Sequence, residues 1–120
     1  MDTDNITEIV IQCAMQVSNT LGVGFLEKVY ENALIVELQK TDLKIEAQKK
    51  IEVFYDNVVV GEYIADLLIA DHVIVEVKAI KAIDETHQAQ LLNYLKATGI
   101  HVGLILNFGT SRLGIKRMVL

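Results

Sequence analysis

The chain has no proline and no tryptophan, a single cysteine, and aromatic side chains at only 6% of its 120 positions. Without proline there is no Pro-rich linker. Repeats and low-complexity tracts are missing too, so residues 1–120 read as one domain. A lone cysteine, Cys13, cannot form an internal disulfide. Neither a signal-peptide pattern nor an apolar run of membrane-spanning length is visible, and a soluble, cytoplasmic protein with no membrane partner is the expectation. Scarce aromatics leave the core to aliphatic side chains, and a hydrophobic content of 52% supplies them. Positive charge is also short: 11 Lys and Arg against 16 Asp and Glu give a net charge of −5. Domains that hold nucleic acid by bulk electrostatics are usually basic, so that mode is disfavoured, although a local basic rim around an acidic site is not.

What is present is concentrated between Glu62 and Ala79, EYIADLLIADHVIVEVKA. Two strands rich in Ile, Val and Leu flank a polar turn at Asp71 and His72, and each strand carries acid within an apolar run. Residues two apart share a strand face, so Glu76 and Lys78 point one way and Val75, Val77 and Ala79 the other. A three-residue loop, Ala70 to His72, sets Asp66 opposite Glu76; a two-residue loop would send the two acids to opposite sides. The three-residue loop is the reading adopted. Two carboxylates side by side repel, and a divalent cation with a lysine beside it offsets that repulsion economically.

Ahead of this stretch, Ile6, Ile9, Val10, Cys13, Ala14, Val17 and Leu21 recur at helical spacing, with Asn5 and Glu8 placed as a capping box. Cys13 on that face reads as a buried, structural thiol. Gly22-Val23-Gly24 ends the helix as a corner; it neither follows a strand nor continues as a phosphate-binding glycine loop. A second helix from Leu26 to Lys40 has Leu26, Val29, Tyr30, Ala33, Leu34 and Leu38 as its apolar stripe, with Lys28, Glu31 and Glu37 solvated. Glu27, in its first turn, suits the helix dipole or equally serves as a third carboxylate delivered to the sheet. Lys44 to Tyr55 alternates as a strand, Asp56-Asn57 is a turn, and Val58 leads back through Gly61 to the acidic hairpin. Lys49 and Lys50 fit an edge guard against aggregation, with phosphate contact as the other use. Asp84 caps a third helix that runs to Thr98 and stops at Gly99. Gln90 and Tyr94 share one face of it. Val102 to Leu106 is apolar on both faces, as in a covered sheet, and Ile115 to Leu120 closes the domain as an edge strand and a plausible dimer edge.

Gly24-Phe25-Leu26-Glu27-Lys28-Val29-Tyr30 resembles the motif that names the GxxExxY proteins. IADLLI, VIVEVKAI, HQAQLLNYLKATG, VGLILNFG and IKRMVL continue the resemblance over nearly all of the chain. That family is placed in the PD-(D/E)XK nuclease superfamily. The implied fold is α/β and restriction-endonuclease-like, with an α-β-β-β-α-β core, a mixed sheet flanked by helices, and here an extra N-terminal helix. Matched residue by residue, Glu27 takes the place of the helical acid, Asp66 that of the strand acid and Glu76-Val77-Lys78 that of E-x-K. Gln90 and Tyr94 match the Q-x-x-x-Y helix motif. Where many members resemble V-H-x-x-L-G, this chain has Ser18 in place of the histidine, and Val23 stands where G-P-G is common.

The resemblance implies a divalent-metal-dependent nuclease that hydrolyses phosphodiester bonds in DNA or RNA, DNA favoured. Mg²⁺, with Mn²⁺ as a substitute, would be held by Asp66, Glu76, the Val77 carbonyl and Glu27. Lys78 would steady charge on the phosphate or orient the nucleophile, Gln90 would hold water or a phosphate oxygen, and Tyr94 would support them. Lys49, Lys50, Lys81, Lys96, Arg112, Lys116 and Arg117 are the candidates for phosphate contact. The alternative is a non-catalytic nucleic-acid or protein-binding module that keeps the fold, and either reading leaves room for a homodimer or a protein partner. For an isolated Asp, Glu and Lys the plain alternative is an internal ion-pair cluster.

Overall fold

A computed structural model describes residues 2–120. The chain runs α1 (Thr3–Leu21), α2 (Glu27–Leu38), β1 (Ile45–Tyr55), β2 (Val58–Ile69), β3 (Val73–Lys78), α3 (Glu85–Thr98), β4 (Val102–Asn107) and β5 (Gly114–Val119). The five strands form one sheet in sequence order, antiparallel except between β3 and β4. The one parallel pair is the one joined through a helix, α3, because parallel neighbours need a long crossover. This is the mixed α/β sheet with flanking helices that a restriction-endonuclease-like core requires.

Strand alternation divides the core in two. Leu67, Ile69, Val73, Val75, Val77, Leu104 and Leu106 pack against Ile6, Val10, Ala14 and Val17 of α1 and Tyr30, Leu34 and Leu38 of α2. Leu68, Ile74 and Ile105 pack on the other face against Leu91, Tyr94 and Leu95 of α3. Glu76 and Lys78 continue the alternation of Ile74 and therefore lie on the α3 side. The approach of α3 is close: a Cβ on Gly103 would sit 2.8 Å from Leu91 Cδ1.

Local chemistry sets the ends of these elements. The α1 cap is Asp2, not Asn5: the Asp2 carboxylate accepts from the Asn5 N–H at 2.9 Å, which starts the helix one turn early. Two left-handed residues, Asp56 (φ 47°) and Asn57 (φ 64°), make the two-residue β1–β2 turn that matches strand twist. In the β2–β3 turn Ile69 pairs with Val73, so the loop is the three residues 70–72, with Ala70 and Asp71 left-handed. Asp84 caps α3 by accepting from the His87 N–H at 3.0 Å, while His87 Nδ1 accepts from the Asp84 N–H at 3.2 Å. Gly99 (φ 74°) ends it. Three expectations for the first two helices need correction. Leu26 and Val29 are exposed, because α2 turns its Tyr30–Leu34–Leu38 edge inward instead; Glu31 is buried, not solvated. Cys13 is only partly buried, at the margin of the core, and burial pushes its thiol up.

The β1–β2 hairpin outruns the rest of the sheet. β2 has 12 residues and β3 has 6, and the two pair only from Leu67 to Ile69. Residues 58–66 therefore hold to β1 on one side and, among the described residues, have no strand on the other.

Candidate functional site

The acids sit where β2 and β3 part. One step beyond the last paired residues, Leu67 and Val75, Asp66 and Glu76 face each other. Each carboxylate takes a backbone N–H from the opposite strand: the Asp66 N–H donates to Glu76 Oε2 at 2.7 Å, and the Val77 N–H donates to Asp66 Oδ2 at 2.7 Å. This reciprocal clasp replaces the ladder that divergence has broken. Hydrogen bonds to charged acceptors contribute about 1.5–3 kcal/mol each, which offsets part of the repulsion of placing two acids together. Asp66 Oδ1 and Glu76 Oε1 make no hydrogen bond among the described residues, and no unbonded side-chain oxygen there is sealed from solvent. Each acid thus keeps one oxygen free and reachable.

Electrostatics mark the pair as strained when charged. Glu76, 5% exposed, is pushed up to about 7, by burial first and by the charge of Asp66 second; its bond from the Asp66 N–H and the Lys78 ammonium pull the other way. Burial likewise raises Asp66, opposed by the Val77 N–H. On the α3 side the Tyr94 phenol is pushed up to about 12 by burial and then by the charges of Glu76 and Asp66, and its ring packs against Tyr63 at 5.6 Å between centroids. Lys78, half-buried and without an ion pair among the described residues, follows Glu76 on the same strand face. Gln90 is half-buried one turn before Tyr94, with no hydrogen bond from its side chain to the acids.

Glu27 arrives from the other side of the sheet, exposed, with Oε2 3.4 Å from the Ala79 N–H. The corner before it is pinned by Tyr30, whose hydroxyl donates to the Gly22 carbonyl at 2.6 Å and accepts from the Phe25 N–H at 3.2 Å, while its ring stacks on Phe108 at 4.9 Å. The tyrosine of the Gly-x-x-Glu-x-x-Tyr pattern therefore holds the turn that aims the glutamate. Even so, Glu27 reaches the end of β3 and does not close on Asp66 and Glu76. Among the described residues no three Asp, Glu, His or Cys side chains gather tightly enough to hold an ion by themselves. The donors still suit Mg²⁺, a hard cation that keeps several waters and needs only one or two carboxylates: two free carboxylate oxygens and the adjoining Val77 peptide are of the right kind.

Two participants escaped the sequence reading. Glu31, 5% exposed, accepts from Lys28 Nζ at 2.8 Å and Gln48 Nε2 at 2.9 Å, and its charge raises both Asp66 and Glu76. Its spacing held a signal, since it lies four residues after Glu27 and so on the same helix face. Gln48 adopts a left-handed backbone (φ 54°) inside β1 while reaching α2, which no local pattern announces. Of the cations considered for phosphate contact, Lys49 pairs with Glu46 at 3.2 Å and Arg117 with Asp4 at 2.8 Å. Lys50 lies on the hairpin, Lys81 in the β3–α3 connection, Lys96 in the last turn of α3, Arg112 in the β4–β5 loop and Lys116 on β5, all exposed. Lys116 pairs with Ile105, whose side chain packs under α3, and so lies on the sheet face that also carries Lys78.

A helix-covered mixed sheet whose paired strand acids and E-x-K lysine meet at a strand split defines the nuclease-like α/β class. Family comparison matches residues 4–118 to the PD-(D/E)XK nuclease superfamily, and the chain belongs to it. No curated protein and no solved structure is similar enough to count as a match. No helix among the described residues is long and apolar enough to cross a membrane.

Proposed function

We propose that the chain is a Mg²⁺-dependent nuclease of the GxxExxY type, hydrolysing phosphodiester bonds in nucleic acid at the Asp66–Glu76–Lys78 site. The observation that carries this reading is the reciprocal clasp. It fixes both carboxylates by one oxygen and leaves the other oxygen of each without a hydrogen bond among the described residues, near Lys78, whose ammonium favours the charged form of both acids. Asp66, Glu76 and the Val77 carbonyl would hold the ion, with Glu27 as the further carboxylate on the α2 side. When bound, it supplies Lewis acidity toward the phosphate and a water acidic enough to attack near neutral pH. Lys78 places its ammonium where negative charge grows on the phosphate, and acts there without reorganising. The Gln90 amide, able both to donate and to accept, orients the attacking water, and Tyr94 buttresses the acids from α3.

The test is cleavage of single- and double-stranded DNA and RNA with Mg²⁺ or Mn²⁺ by wild type, Glu76→Ala and Lys78→Ala prepared identically. The nuclease reading requires cleavage that EDTA and both substitutions abolish, with Mn²⁺ binding by calorimetry lost in Glu76→Ala and kept in Lys78→Ala. Equal cleavage by all three proteins would refute it. A non-catalytic module remains the second reading, favoured by the net charge of −5. It requires that wild type bind the metal or a partner and cut nothing.

A further inference from the structure

The projecting hairpin leaves a groove between itself and α3. It is lined by Val53, Phe54, Tyr63, Asn93, Lys96 and Ala97 and has a volume of about 500 Å³. Sites for organic ligands fall in the range of about 300–1,000 Å³. Phe54 is 60% exposed and Tyr63 is 48% exposed, so both present ring surface to solvent on a chain otherwise poor in aromatics. Lys96 forms no ion pair among the described residues. The groove adjoins the acids. Tyr63 precedes Asp66 by three residues in β2, roughly 10 Å along the strand, and packs on Tyr94, whose phenol feels the charges of Glu76 and Asp66.

We propose that this groove binds unpaired nucleobases, and that the substrate is therefore single-stranded nucleic acid laid from the groove into the acidic site. The inference rests on the nuclease reading for the direction of the strand, but its own argument is chemical. Aromatic faces open to solvent take the flat face of a base, which a duplex hides in its stack and a single strand offers. The Asn93 amide can meet a base edge with donor and acceptor together, and Lys96 can meet the adjoining phosphate. Charge disfavours the duplex on separate grounds. A duplex carries about twice the phosphate charge per length of one strand, whereas this domain has net charge −5 and pairs five of its cations, Lys28, Lys40, Lys44, Lys49 and Arg117, with acids. Stacking supplies affinity that does not depend on a basic surface.

The experiment measures binding without cleavage, by fluorescence anisotropy of a labelled oligonucleotide, single-stranded or annealed to its complement, with Ca²⁺ in place of Mg²⁺. Wild type is expected to bind the single strand more tightly than the duplex. Phe54→Ala and Tyr63→Ala each should weaken single-strand binding by roughly 5- to 150-fold, the span of one lost base stack. Tyr63→Phe should keep it. Lys96→Ala should lower the slope of log affinity against log salt by about 0.7. Because Phe54 and Tyr63 are exposed, truncation leaves the fold intact, and circular dichroism checks this. Unchanged affinity in both alanine variants, or a preference for duplex, overturns the proposal. So does loss of binding that sedimentation traces to dissociation of a dimer, since the aromatics would then serve a second copy. A protein that cleaves nucleic acid but fails these tests keeps the nuclease reading and loses the groove; one that passes them and never cleaves does the reverse.

Discussion

Replacing Glu76 by Gln removes one of two facing carboxylates while keeping its volume and an oxygen for the Asp66 N–H. In the metal-free protein burial and the Asp66 charge push Glu76 from its ordinary 4.5 up to about 7. The folded protein then keeps a proton that the unfolded chain has already released. Stability from this group is full below the unfolded value of 4.5, declines as pH rises, and is lost once pH passes about 7. At about 1.4 kcal/mol per unit, the wild-type protein gives up about 3 kcal/mol across that window, or roughly 10 °C in Tm for a domain of this size. Denaturant unfolding in EDTA across a pH series, wild type beside Glu76→Gln, isolates the coupled Asp66–Glu76 pair, because groups that do not interact with Glu76 cancel in the difference. The two proteins should be close in stability in acid, with Glu76→Gln ahead by about 3 kcal/mol at about pH 8. Mg²⁺ at about 100 times its Kd should return about 2.7 kcal/mol to wild type at the alkaline end and little to the variant. Parallel curves at every pH, with Mg²⁺ raising both proteins alike, would refute the clasped-carboxylate account.

Two further outcomes test how the site is held. Asn107, 2% exposed, accepts from the Ile80 N–H at 2.9 Å and the Gly109 N–H at 3.0 Å and donates to the Ile80 carbonyl at 3.0 Å. Asn107→Ala strips three hydrogen bonds, two to Ile80 in the connection after Lys78 and one to Gly109 in the β4–β5 loop, and should cost about 3 kcal/mol in urea unfolding; a loss under about 1 kcal/mol would mean that water replaces the amide. Tyr30→Phe keeps the stack on Phe108 but frees the Gly22 carbonyl, and should cost about 1 kcal/mol in calorimetric unfolding. Hydrogen exchange of the Phe25 amide should quicken in that variant, and an unchanged rate would show that the hydroxyl does not pin the corner.

The hairpin register was legible because a single residue in the loop decides which way every side chain points, and only the three-residue loop puts both acids on one side. Legibility extended to the faces of β3, the cap at Asp84 and the stop at Gly99, all set by neighbours in the chain. The α1 start was misplaced by one turn because Asp2 and Asn5 are both good caps and local pattern does not rank them. Glu31 read as solvated for a deeper reason. A glutamate on a helix is buried only if another element supplies donors, and here the donors include Gln48, seventeen residues away and in a backbone conformation that strands rarely use. Asn107, likewise, is the buried brace between β4 and the segment that follows β3, a role its neighbours in the chain do not announce.

What the sequence hid most fully is the consequence of unequal strands. A 12-residue β2 beside a 6-residue β3 cannot pair along its length, and the ladder between them stops at Leu67 and Val75. Where it stops, the N–H groups of Asp66 and Val77 are left for carboxylates, and the two acids are drawn into their clasp. Beyond that point β2 continues with only β1 for company, carrying Tyr63 into the open beside α3. One mismatch in length thus sets both the acidic site and the aromatic groove, and it fixes their spacing at three residues of a single strand. A change that extended β3 would be expected to disturb the two together, because neither is an independent feature of the surface.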